Sequence, residues 1–355
     1  MSKLLIKFRY VILAVALAAV AVTAFSFSAG EKDLAVNLSS ELYTETNKYS
    51  GEYKLMEPNG AVRVESIGIR GIGYERMIPG GTLLLDYSIS PENANEAIEW
   101  ISSDPRTVSV SSEGLVTAYK KGLSLVTVET YDGKKSGRVI VEVVEKPDHI
   151  LNVPYLTQIY DYPNGCESVS TVMALNYVGI DISVDDFIEK YLDMSPLPET
   201  IDGELWGYSP WDYFVGDPRL YSGLCCYAPV IVNALEKFVD TEEYEILELY
   251  NVPIEDLCRD YIMKNVPVIF FGTMYMNTPY IPGWCWNVID GEEGEVFYWT
   301  DPMHCLLLVG YDDGYYYFND PTAGKQVAYS KSDTEAAYKG MFEQAVVVRK
   351  RTASE

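Results

Sequence analysis

Histidine is almost absent: the 355 residues hold two, His149 and His304. Any chemistry that needs an imidazole base has only these to draw on. Basic side chains are also scarce, 27 Lys and Arg against 52 Asp and Glu, for a net charge of −25. A chain so charged repels nucleic acid and anionic lipid surfaces, so neither is expected as a partner. The excess acid also reads as a solvated surface that keeps the protein soluble. Cysteine is missing from the whole first part of the chain. The six present are Cys166, Cys225, Cys226, Cys258, Cys285 and Cys305, with no C-x-x-C spacing among them. That spacing argues against a zinc site, and no metal or cofactor is expected. An even count in an exported chain invites a disulfide framework, but a chain this large needs no staples. If Cys166 is a free nucleophile, at most two bridges form.

What is present begins with Lys3, Lys7 and Arg9, followed by an apolar run over residues 10–25 and small residues at Ser26, Ser28 and Ala29. These are the parts of a secretory signal peptide. Cleavage fits after Ser26, with Ser28 and Ala29 also open, and the run is just long enough for an uncleaved anchor. Residues 1–29 are therefore read as a signal peptide or signal anchor. With no Cys after the run, a lipoprotein anchor is not expected, and membrane contact is expected only through this segment if it is retained. Residues 30–60 are polar and aperiodic, a linker.

From 61 to 145 short alternating segments are separated by turn signals such as Pro79-Gly80-Gly81, Asp104-Pro105 and Asp132-Gly133. Seven short strands at this spacing predict an antiparallel sandwich with Trp100 filling its core. The segment resembles the bacterial immunoglobulin-like domain of group 2. The resemblance is carried by Pro79-Gly80-Gly81-Thr82, Trp100-Ile101-Ser102-Ser103-Asp104-Pro105, Val108-Ser109-Val110 and Gly114-Leu115-Val116-Thr117-Ala118. It implies a spacer or adhesive module that carries no chemistry and whose surface ligand, if it has one, is open.

Residues 147–349 mix helical and strand patterns, an α+β arrangement with helices first and an antiparallel sheet after. Its focus is Asn164-Gly165-Cys166-Glu167-Ser168-Val169-Ser170. A Gly breaks the backbone and Cys166 opens a run with Val169, Val172, Met173 and Tyr177 at helical spacing. A thiol at a helix N-terminus is expected to have a lowered pKa. Gln158 stands on the approach to the same turn as a side-chain donor. The residues alone leave two readings: a nucleophile with an oxyanion donor beside it, or a buried structural Cys under a helix cap.

A thiol nucleophile needs a base. His149 lies between the domains and reads as a surface residue, whereas His304 starts the apolar strand His-Cys-Leu-Leu-Leu-Val-Gly. That strand turns at Asp312-Asp313-Gly314 and returns as Tyr315-Tyr316-Tyr317-Phe318-Asn319-Asp320. A three-residue loop with Gly314 in the left-handed position pairs 311 with 315 and puts Asp320 diagonally beside His304. A two-residue loop presents Asn319 instead.

Residues 151–349 resemble the double-glycine-leader peptidase-like family, family thirty-nine of the cysteine peptidases, which has a papain-like fold. The matching stretches are Val153-Pro154-Tyr155, Gln158, Gly165-Cys166-Glu167-Ser168, Gly216-Asp217-Pro218, Pro267-Val268-Ile269, His304, Val309-Gly310-Tyr311-Asp312 and Asn319-Asp320-Pro321. The resemblance implies Cys166 as nucleophile, His304 as base, Asp320 as orienting group and Gln158 as part of the oxyanion hole. Asn265 stands where a Gly is expected. No ATP-binding or transport segment is attached, so the leader-peptide substrate does not carry over.

The fold class is thus multidomain: an all-β immunoglobulin-like sandwich followed by an α+β papain-like cysteine peptidase domain. The expected function is that of an exported cysteine peptidase or amidase acting on a peptide or protein substrate. A peptidoglycan-peptide hydrolase and a surface adhesion protein with an idle papain-like domain are the alternatives. The stretches 206–227 and 274–286 are candidates to line the cleft.

Overall fold

The structure, a computed structural model, describes residues 62–351 apart from 72, 148 and 290. The signal or anchor segment (1–29) and nearly all of the linker (30–60) and its junction lie outside the described residues. The described residues divide into two compact units, one comprising residues 62–75 with 85–143 and the other 76–84 with 144–351.

In the first unit the alternation produces strands. Ser66–Ile69 pairs antiparallel with Tyr87–Ser90, and Val108–Val110 pairs with Leu115–Ala118. Gly122–Thr130 lies between Ile98–Ser102 and Ser136–Val143. In Ser136–Val143 every second residue is buried, the period-two signature of a strand with one face on a core. Trp100 does not fill that core. It is half-buried and packs from the margin against Val64, Ile67 and Val128, edge-on to Tyr87 with ring centroids 5.5 Å apart. Gly114 has a left-handed φ of +85°, and a Cβ there would lie 2.8 Å from the indole.

The second unit is built on a six-stranded antiparallel sheet, in the order Tyr244–Tyr250, Gln344–Lys350, Val268–Thr273, Met303–Tyr311, Tyr315–Asp320, Gly324–Ser330. The two middle strands are buried along nearly their whole length, which is why they read as continuous apolar runs. Against the sheet lies the helix Cys166–Val178, every residue of which is buried from Cys166 to Leu175. A helix with no polar face belongs inside a domain. Helices Val184–Lys190, Ala228–Glu236 and Ile254–Asp260 follow it in the chain. The connection after Ile254–Asp260 ends at Asn265 in the left-handed conformation, φ 60°. Asn tolerates that region better than other side chains, so it does the work expected of a Gly.

Glu199–Ile201 and Glu204–Gly207 join Cys285–Val288 and Val296–Tyr298 in a second, four-stranded sheet. Strand Gly324–Ser330 forms one edge of the six-stranded sheet, and helix Lys331–Gly340 follows it. All six cysteines are free.

Candidate active site

The turn before the long helix is tied down by the backbone. Tyr162 N–H donates to the Gln158 carbonyl (2.9 Å), Gly165 N–H to the Tyr162 carbonyl (2.9 Å), and Asn164 N–H to the Pro218 carbonyl (3.1 Å). The Asn164 side-chain amide reaches the Leu220 carbonyl at 2.8 Å. Gly165 is needed for space, since a Cβ there would sit 2.8 Å from the Tyr162 Cβ and 3.4 Å from the Pro218 Cβ. The helix therefore starts at Cys166, whose backbone N–H belongs to the first turn and has no acceptor within the helix. The Ser170 hydroxyl donates to the Cys305 carbonyl (3.2 Å), fastening the helix to the strand that carries His304.

His304 and Asp320 meet: His304 Nε2 lies 2.9 Å from Asp320 Oδ1, each 1% exposed. The same oxygen accepts from the Thr322 (2.9 Å) and Ala323 (3.1 Å) N–H groups, and Oδ2 accepts from the Tyr329 hydroxyl at 2.7 Å. Thr322 Oγ1 stands 3.2 Å from His304 Nε2. Burial pushes the Asp320 carboxyl up, but the His304 charge and these hydrogen bonds outweigh it and hold its pKa below 3.8. Asn319 faces elsewhere. Its amide donates to the Val153 carbonyl (3.3 Å) and its oxygen accepts from Gln326 N–H (3.1 Å).

The expected turn is corrected. Tyr311 pairs with Tyr316, not 315. Asp312 closes the tip by accepting from the N–H groups of Gly314 (2.9 Å) and Tyr315 (2.8 Å), and Gly314 is not left-handed. An irregularity between Leu308 and Gly310 then shifts the register, so that Leu307 lies opposite Asn319. Continued by one step, that register brings 306 opposite 320, consistent with the contact between Asp320 and His304.

A cavity of about 280 Å³ is lined by Cys166, Gln158, Glu167, His304 and Thr322 among others. All of the expected site residues except Asp320 line it, and Asp320 sits behind His304. Gln158 Nε2 donates to the Pro163 carbonyl (3.0 Å), while its Oε1 is buried without a partner. A larger cavity of about 400 Å³, beside Tyr208, Asp212 and Asn233, holds none of these residues. His149 is exposed and stacks on Tyr311, centroids 5.8 Å apart.

The thiol is not acidified. Burial pushes the Cys166 pKa well above 9.0, and the neighbouring Glu167 carboxylate adds to the rise. Cys166 Sγ donates to Glu167 Oε2 (3.1 Å), and Glu167 Oε1 accepts from Cys226 N–H (3.0 Å). Desolvation and an adjacent carboxylate act against the helix dipole and win. Burial also raises the Glu167 pKa, against hydrogen bonds that lower it.

The sequence profile of the Peptidase_C39 like family matches residues 150–346. The chain belongs to this family. YvpB of Bacillus subtilis (strain 168), an uncharacterized protein, is 30% identical over 187 residues, covering 53% of this chain and 70% of YvpB. The crystal structure of a C39-like peptidase candidate from Bacillus anthracis superimposes with a TM-score of 0.50 at 24% identity, covering 58% of this chain and all of that one. Residues 76–143 match the bacterial Ig-like domain (group 2). A lacto-N-biosidase of Bifidobacterium bifidum is 42% identical over 66 residues, 19% of this chain and 6% of that enzyme. Family membership supports peptidase or hydrolase chemistry in the second unit.

Glu167, Thr322 and Tyr329 carry no expected role from the sequence, yet all three touch the site. Thr322 was the most accessible, because an Asp followed by Pro commonly accepts from the backbone N–H two residues on. Of the stretches expected to line the cleft, Leu224, Cys225 and Met274 do so. Trp299 and Asp301 line the cavity as well, from outside those two stretches.

Proposed function

We propose that the protein is an exported cysteine peptidase or amidase with Cys166 as nucleophile, His304 as base, Asp320 as orienting group and Gln158 as oxyanion donor. The observation that carries this reading is the 2.9 Å contact between His304 and Asp320 behind a cavity that also holds Cys166 and Gln158. Support for export is the signal-like composition of residues 1–29 and the Ig-like domain.

With Nε2 committed to Asp320, His304 Nδ1 takes the Cys166 proton as the sulfur attacks the substrate carbonyl. The oxyanion is met by the Cys166 N–H and by Gln158 Nε2, which has two hydrogens and gives one to Pro163. His304 then returns the proton to the leaving amine. Water, deprotonated by His304, cleaves the thioester to a carboxylic acid and restores the thiol. Asp320 stabilises the imidazolium and fixes the ring.

The test is hydrolysis of an unfolded-protein substrate and of muropeptides by the wild type and by Cys166→Ala. Turnover abolished in the variant is expected, and the preferred substrate separates a general peptidase from a cell-wall peptide hydrolase. Full activity in Cys166→Ala overturns the reading.

A further inference from the structure

The cavity that holds Cys166 and His304 has two carboxylates in its wall, Glu167 and Asp301, and no lysine or arginine. Glu167 is occupied on both oxygens, by the Cys166 thiol and the Cys226 N–H. Asp301 is different. Its Oδ2 accepts from the Tyr280 hydroxyl (2.7 Å) and its Oδ1 receives the Trp299 indole N–H at a long 3.5 Å. Both donors are neutral, and among the described residues no lysine or arginine pairs with the carboxylate.

The wall is also firmly built. Tyr280 and Asp301 exchange both backbone hydrogen bonds, Tyr280 N–H to the Asp301 carbonyl at 2.8 Å and Asp301 N–H to the Tyr280 carbonyl at 2.9 Å. Trp299 N–H donates to the Trp284 carbonyl (2.9 Å), and the two indoles lie 5.5 Å apart, centroid to centroid. Trp299 and Asp301 are both half-buried. Met274 and Leu224 supply apolar surface in the same cavity. A half-buried carboxylate with no cationic partner among the described residues, an indole and flexible apolar side chains together suit one kind of group: a cation on an aliphatic stem. The carboxylate provides a charge-assisted hydrogen bond, the indole a cation–π surface, and the Met and Leu contacts for the methylenes.

We propose that Asp301 and Trp299 form a subsite of this cavity that receives a cationic side chain of the substrate, lysine or arginine. The assignment deepens the peptidase reading and rests on it for the word substrate, but the electrostatic selectivity of the cavity does not depend on turnover.

The test therefore uses Cys166 as a local probe. Methanethiosulfonates of similar reach are compared, one cationic (aminoethyl), one neutral (methyl) and one anionic (sulfonatoethyl). Each reaction forms a mixed disulfide at Cys166 and releases methanesulfinate, and initial rates are read by mass spectrometry of the Cys166 peptide from the full chain. The ratio of cationic to anionic rates cancels the thiolate fraction, and comparing that ratio between wild type and variant cancels the constant contribution of Glu167. We expect the wild type to favour the cationic reagent and Asp301→Asn, which keeps an acceptor for Tyr280, to lower the ratio about tenfold, as removal of one charge several ångströms away in a half-wet site requires. A wild type that prefers the anionic reagent, or an unchanged ratio in Asp301→Asn, overturns the subsite. Should Asp301→Asn fail to fold, the same ratio in Glu167→Gln decides the matter: a cationic preference that survives there supports Asp301, and one that vanishes overturns the subsite. In parallel, peptides that differ only in Lys or norleucine at one position should lose their discrimination in Asp301→Asn. A charge-selective cavity without any peptide turnover would remove the peptidase reading and leave the cation subsite standing.

Discussion

Replacing Asp320 tests the site most stringently, because its carboxylate holds four donors at once. These are His304 Nε2, the N–H groups of Thr322 and Ala323, and the Tyr329 hydroxyl. In Asp320→Ala all four lose their acceptor in a region where His304 and Asp320 are 1% exposed. A stranded buried donor costs about 1–3 kcal/mol, and breaking a buried charge pair from one side costs about 3–5 kcal/mol. These overlap, because water entering the vacated volume satisfies some donors. Thr322 Oγ1, at 3.2 Å from Nε2, also remains for the imidazole. A loss of about 3–5 kcal/mol is expected, which for a unit of this size is roughly 6–20 °C in the midpoint of its thermal transition. Asp320→Asn keeps one oxygen for the two backbone donors, and the Tyr329 hydroxyl can turn to accept from the new amide. Its cost should be about 1–2 kcal/mol, while turnover falls steeply because the imidazolium has lost its counter-charge. Near-UV circular dichroism of the full chain, with the Ig-like unit as internal control, measures both variants. An alanine variant whose transition matches the wild type, or an asparagine variant as unstable as alanine, would refute the argument.

Gln158→Ala should slow turnover by about 10²–10³-fold, with Cys166 still alkylatable, as removal of one oxyanion donor does; an unchanged rate would assign the oxyanion to the backbone alone. Glu167→Gln should speed alkylation of Cys166 by iodoacetamide at neutral pH, since the carboxylate that raises the thiol pKa is gone; a slower reaction would contradict the direction. The two buried carboxyls should respond oppositely to acid. Asp320, with its pKa lowered, contributes stability that is present above pH 3.8 and lost as the pH falls further. Glu167, with its pKa raised, contributes stability below pH 4.5 that is lost as the pH rises through its folded value. Unfolding midpoints between pH 4 and 8 should therefore show Glu167→Gln gaining most at neutral pH. Gly165→Ala pushes a Cβ to 2.8 Å from Tyr162; it should cost about 1–3 kcal/mol of stability and depress turnover, read by urea unfolding and by kinetics.

The strongly patterned parts of the fold were legible. Runs such as Val268–Thr273 and Met303–Tyr311 announce buried strands because water is excluded from both faces. Strand Glu199–Ile201 was less legible because all three of its residues are exposed and no apolar alternation marks it, although Asp202-Gly203 is a two-residue hairpin turn that joins it to Glu204–Gly207. Helix Lys331–Gly340 hid for a related reason: only Thr334, Ala337 and Tyr338 are buried. In the candidate site, residue types and order pointed to the meeting of His304 and Asp320, but the electrostatics of Cys166 did not follow. A helix start suggests an acidified thiol, and only the packed structure shows that Glu167 is buried against the sulfur. Trp299 and Asp301 escaped notice because nothing in their spacing marks a cavity wall.

The shift between Leu308 and Gly310 gives the hairpin two independently set registers. The tip, with Tyr311 against Tyr316, obeys Asp312 and its turn, whereas the half near His304 obeys the packing of the sheet. Between them the irregularity works like an expansion joint. Tip variants that lengthen or shorten the turn by one residue can take up the slack there, without swinging Asp320 to the opposite face. The exposed end of this hairpin is therefore a place where the chain can be altered, for a tag or an inserted loop, while the histidine and its carboxylate stay aligned.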